Sequence, residues 1–209
     1  MIKIFTASFL AFLSFSVQSA TLDILSLNIT GGSFGLGNPA PENCTQVTGF
    51  EPYDCITSGT ITMGAYQQGT ADVNSVVTGE VTSFNFFDSP VKIFTAASAP
   101  GAEANPTGAP SGTTDGGTGT ITVDLNSWYM NWNGDYFRQG DIATGTYDAV
   151  TGGFDISWSA LIVGGPFNGR LGYWNLTGAA DVSAVPVPAA IWLFGSGLIG
   201  LAGLARRSK

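Results

Sequence analysis

The sequence predicts an all-β fold: an antiparallel β-sandwich or jelly-roll-like ectodomain, with an N-terminal signal-peptide helix and a single C-terminal membrane helix. Three observations carry this. The chain holds 29 glycines, 12% aromatic and only 11% charged residues, a poor composition for helices, which glycine weakens and charged faces solubilise. Phe154, Ile156, Trp158, Ala160 and Ile162 alternate with Asp155, Ser157 and Ser159, the period of a strand with one apolar and one wet face. Asn133-Gly134, Thr151-Gly152-Gly153 and Asn168-Gly169 supply the positive-φ residues of tight hairpins, and strands joined by short turns pair antiparallel.

The elements follow in order. Residues 1–20 open with Lys3, continue through an apolar run from Ile4 to Phe15 and close on the small residues Ser19 and Ala20, the layout of a cleavable secretory signal. Residues 21–184 form the exported domain. Cys44 and Cys55, the two cysteines of the chain, bracket the segment TQVTGFEPYD; an even count in an exported protein predicts that they form a disulfide. Ile61/Met63/Ala65, Ile121/Val123/Leu125 and Trp128/Met130/Trp132 repeat the strand alternation. Between them, residues 96–119 are almost bare of large apolar side chains and read as a flexible loop.

Charge and composition exclude several functions. All fifteen acidic residues lie in 21–184 against three basic ones, Lys92, Arg138 and Arg170, so nucleic acid, which needs clustered cations, is not an expected partner. The chain has no histidine, which removes Ser-His-Asp and Cys-His nucleophile systems and the commonest metal ligand. No metal, no cofactor and no catalytic residue are expected, and the chain is read as a non-enzyme. A hydrolase working through two of Asp124, Asp135, Asp141, Asp148 and Asp155 is the least favoured reading, because these positions fit turns and wet strand faces.

The stretch NSWYMNWNGDYFRQGD, residues 126–141, concentrates potential binding groups. Trp128, Trp132 and Tyr136 can stack on sugar rings while Asn133 and Asp135 bond hydroxyls, the equipment of a carbohydrate-binding module. An aromatic core with an Asn-Gly hairpin is the plainer reading of the same residues. Asn131, Asn133 and Asp135 share the spacing of a calcium loop, but Tyr136 and Ile142 replace its required glycine and glutamate. Asn28, Asn43 and Asn175 stand in Asn-x-Thr sequons.

The last 25 residues read VPVPAAIWLFGSGLIGLAGLARRSK. Pro186 and Pro188 stop a helix from propagating backwards. Ala189 to Ala205 is an uncharged apolar run that includes Trp192, Leu193, Phe194, Gly195, Gly197, Gly200 and Leu204; as a helix it is about 26 Å long, near the span of a bilayer. Arg206, Arg207 and Lys209 follow as a basic stop on the cytoplasmic side.

In order and spacing the tail, from Val185, Pro186, Val187, Pro188 and Ala189 through Trp192–Gly203 to Arg206 and Arg207, resembles the PEP-CTERM sorting signal, in its Val-Pro-x-Pro form with Val187 where the name-giving motif has glutamate. The resemblance covers about 25 residues. It implies that an exosortase, a membrane-embedded cysteine transpeptidase-like enzyme of Gram-negative bacteria that make extracellular polysaccharide, is a partner. It further implies an inner-membrane-anchored intermediate that is then moved to the cell surface or extracellular matrix. The stretch from Trp128 to Trp174 is also similar to the ectodomains of other PEP-CTERM proteins, a similarity that confers no activity. The expected role is therefore that of an exported envelope or matrix protein, structural or interacting, linked to exopolysaccharide or biofilm, with a carbohydrate-binding module as the alternative.

Overall fold

A computed structural model describes residues 21–37, 53–67, 80–98, 107–163, 166–183 and 196–197. Among these residues the regular structure is almost all strand: β1 (Thr21–Leu36), β2 (Tyr53–Cys55), β3 (Gly59–Thr62), β4 (Thr82–Phe86), β5 (Ser89–Thr95), β6 (Ser111–Asp115), β7 (Thr120–Asp124), β8 (Trp128–Trp132), β9 (Asp135–Arg138), β10 (Ile142–Tyr147), β11 (Gly153–Leu161) and β12 (Leu171–Val182). The all-β expectation holds, and every pairing is antiparallel.

The architecture departs from a simple sandwich. β12, β11, β10, β7, β6 and β1 pair in sequence, and β12 pairs back onto β1, closing a six-stranded barrel. The 16-residue β1 makes the closure possible. One of its edges carries β12 from Ile24 to Leu36, while the other carries β6, β3 and β2 in succession. Two register shifts, between Ile24 and Ser26 and between Ile29 and Gly31, bend the strand around the ring, as extra residues in a ladder do. A second sheet in the order β4-β5-β8-β9 lies against the barrel. Closure gives every strand of the ring two neighbours, while β2 and β3 are carried on β1 outside it.

The period of two places the core. Ile24, Leu27, Ile121, Val123, Ile156 and Leu176 are buried. Phe34 and Trp174 of the barrel meet Phe84 of the second sheet at ring-centroid distances of 5.5 and 6.0 Å, so one apolar cluster spans both sheets. A smaller cluster of Phe94, Ala96 and Tyr129 forms on the other face of the second sheet.

Asn133 and Gly134 take φ of 52° and 88° between β8 and β9, Gly152 takes 75° between β10 and β11, and Gly169 takes 83° between β11 and β12, as their turn chemistry predicts. Ile61 lies in β3, but Met63 and Ala65 fall beyond its end. The expected loop at 96–119 is corrected in its second half, where β6 sits between β1 and β7. Its sequence SGTTD escapes an apolar pattern because its stability comes from ladder hydrogen bonds on two edges, with Thr114 buried. Asn28 and Asn175 are mid-strand residues, whose side-chain amides donate to Asp181 Oδ2 and Asp155 Oδ1.

Two expectations require correction. No helix among the described residues is long and apolar enough to cross a membrane; of the tail, only Ser196 and Gly197 are described. Nor is a complete Cys44–Cys55 bridge shown. Cys55 ends β2 in the disulfide-bonded state, but Cys44 lies outside the described residues, as do 1–20 and Val185–Ala189. Trp192, Leu193, Phe194, Gly195, Gly200, Leu204, Arg206, Arg207 and Lys209 lie outside them too.

Both ends of the barrel chain leave at one pole. Ser183 N–H donates to Asp23 O at 2.8 Å, and Asp23 N–H donates to Ser183 Oγ at 3.2 Å. At the opposite pole stand the end of β1, the β4–β5 and β8–β9 turns, and the loop after β11.

Candidate functional site

The residues expected to form a single sugar platform are separated by the hairpin register. In β8, Trp128, Met130 and Trp132 point toward the barrel. Tyr136 of β9 pairs with Asn131, so its ring emerges on the other face and packs edge-on to Phe94 at 6.0 Å. Trp128 is fully buried, T-shaped to both Trp158 and Trp174 at 5.5 and 5.6 Å, and inaccessible to a sugar. Its Nε1 has no hydrogen-bond partner among the described residues. Asn133 and Asp135 are exposed in and beside the β8–β9 turn.

Beneath this hairpin, Trp158 and Trp174 stack within 5° of parallel at 5.6 Å. Gln139 is buried beside the two indole N–H groups: its backbone carbonyl accepts from Trp158 Nε1 at 2.8 Å and its Oε1 from Trp174 Nε1 at 3.4 Å, while its Nε2 donates to Arg138 O. A buried amide is costly unless bonded, and here the tryptophans satisfy its oxygens. This is core chemistry.

Trp132 is different. It is half-buried at the pole opposite the chain ends, where its Nε1 donates to Phe86 O at 3.1 Å. Around it gather Phe86 at 5.7 Å and Phe167 at 5.5 Å. Phe87 lies parallel to Phe167 within 8° at 6.0 Å and is 46% exposed. An apolar cleft behind these rings is lined by Phe34, Leu36, Met130 and Ile162 among others. Phe87 and Asp88 form the β4–β5 turn with φ of 48° and 58°, a two-residue turn with both centres left-handed. That conformation is rare for residues with a bulky side chain. Sequence reasoning passed over FNFFDSP, residues 84–90, because it lacks the Asn-Gly signal; the doubled phenylalanine beside Asp-Ser-Pro was the available clue.

Four of the five carboxylates weighed for hydrolysis are occupied locally, while Asp135 is exposed. Asp124 accepts from Asn126 N and Nδ2, Asp141 from Ile142 N, and Asp155 from Asn175 Nδ2. Asp148 accepts from Thr151 Oγ1 and Val150 N, bonds that hold its carboxyl below the usual range. Among the described residues no three His, Cys, Asp or Glu side chains group to hold a metal.

Glu80 is the exception in sign: burial pushes its carboxyl above the ordinary range, against the opposing pulls of a Ser83 hydrogen bond and the Lys92 charge. A carboxyl with a raised folded pKa favours folding below its unfolded pKa, and this contribution is lost as pH rises through the raised value. Glu80→Gln is therefore expected to raise Tm near neutral pH, with the gain vanishing in acid; a Tm difference independent of pH would contradict the assignment.

Comparison with protein-family models, with curated proteins and with solved structures gives no match.

Proposed function

We propose that the chain is an exported protein of the cell envelope or extracellular matrix with a structural or interaction role. In this reading it is delivered by residues 1–20 and sorted through residues 185–209 by an exosortase-type membrane transpeptidase. The observation that carries the reading is the order of the tail, Pro-x-Pro, apolar run and terminal cations. The exit of the chain supports it: β12 ends beside β1 at Ser183 and Asp23, so a tail held or cut at a surface leaves the rest of the barrel projecting from it. Local bonding of Asp124, Asp141, Asp148 and Asp155 favours a non-catalytic role.

Fractionating cells that express the full chain or a chain ending at Ala184 tests the sorting. The full chain is expected at the cell surface or in the matrix, shortened at its C-terminus by intact mass, and the truncated chain is expected to be mislocalised. Identical destination and form for the two would refute the proposal.

A further inference from the structure

We propose that the aromatic rim of Phe87, Trp132 and Phe167, at the pole opposite both chain ends, binds neutral glucan-type chains of all-equatorial hexopyranoses. The inference deepens the interaction reading but does not need the sorting step, since binding is a property of the rim wherever the protein resides.

The rim has a composition that folding alone does not require. A two-residue turn with both centres left-handed selects Asn, Asp and Gly, yet Phe87 stands at the first centre with φ of 48° and 46% of its surface exposed. A bulky residue is held in a costly conformation while much of its apolar surface faces water; such strain collects at binding sites. The β5–β8 register, with Val91 opposite Trp132, sets the Phe87-Asp88 turn next to the Asn133-Gly134 turn. Aromatic faces and polar groups therefore converge at one place.

The chemistry selects the ligand. An all-equatorial pyranose shows a flat face of axial C–H bonds that matches the negative face of an aromatic ring, and its equatorial hydroxyls point sideways. Asp88, Asn133 and Asp135 are exposed around the rim as acceptors and donors for those hydroxyls. Two aspartates, Asp88 in one turn and Asp135 beside the other, on a chain of net charge −8, disfavour an acidic polymer by repulsion. Position agrees with use: β12 runs from Leu171 near the rim to Val182 near the tail, roughly 35 Å along the strand, so the rim faces away from any surface that holds the tail.

The test is calorimetric titration of the full chain with cellohexaose and, separately, with hexagalacturonate. Saturable binding of cellohexaose with tryptophan fluorescence change is expected, with no binding of the acidic hexamer. Phe87→Ala and Phe167→Ala are each expected to weaken binding by about tenfold, the order of one lost aromatic contact. Tyr136→Ala, on the other face of the sheet, is expected to leave it intact. Phe87→Asn suits the left-handed turn and removes the ring, so it is expected to lose binding with Tm at or above that of the parent. Absence of cellohexaose binding, undiminished binding by Phe87→Asn, or preference for hexagalacturonate would each overturn the proposal.

Discussion

Trp174→Ala is expected to destabilise the protein by about 4 kcal/mol, the scale of removing a large aromatic from a well-packed interior. Trp174 is 2% exposed. Its ring joins the barrel to the second sheet, contacting Phe34 at 4.6 Å, Trp158 and Trp128 at 5.6 Å and Phe84 at 6.0 Å. The loss combines transfer free energy, a cavity that its neighbours can fill only in part, and several aromatic contacts. Against a typical total stability of about 5 to 15 kcal/mol, this removes a large fraction. Gln139 would also lose the donor to its Oε1. Urea unfolding with near-ultraviolet circular dichroism is the measurement; a cost below about 1 kcal/mol, no more than that of an average substitution, would show that Trp174 does not tie the two sheets together. Trp158→Ala and Trp174→Ala are expected to be non-additive, because the stacked pair shares one contact.

Gly178→Ala tests the closure of the barrel. Gly178 faces Ile29 across the β1–β12 seam, and a Cβ there would come within 2.0 Å of Asn28 O. Backbone cannot rotate away as a side chain does, so the seam must shift; about 3 kcal/mol is expected, at the upper end of overpacking costs. Gly31, on the same seam, is the control. A Cβ at Gly31 would meet only Thr177 Oγ1 at 3.5 Å, an ordinary contact, and Gly31→Ala is expected to be neutral or mildly stabilising because alanine loses less chain entropy than glycine. Urea midpoints separate the two variants. Equal effects would mean that the seam is not closely packed at Gly178.

The strand content and most turns were legible because their signals are local. A strand such as β11 announces itself through alternation over nine residues, and Asn133-Gly134 announces a hairpin through the φ that only a few residues accept. The β4–β5 turn was hidden because its residues, Phe87 and Asp88, are not the ones its geometry favours. β6 was hidden because a strand supported on two edges can do without large apolar side chains.

The candidate site was only half legible. Trp132, Asn133 and Asp135 were named for binding and do reach the exposed pole, but Trp128 is buried and Tyr136 belongs to the opposite face. Closeness along a hairpin does not give a shared face, since the face alternates at each residue.

By itself, the sequence determined that this chain is a β protein, since composition, period and turn chemistry act within a few residues of one another. Only the tertiary structure decided that the main sheet closes and which aromatics reach the surface. The pairing of Leu27 with Ala180 and the meeting of Phe87 with Phe167 join segments far apart in the chain, and such contacts depend on shape and burial summed over the whole fold, which no local pattern encodes.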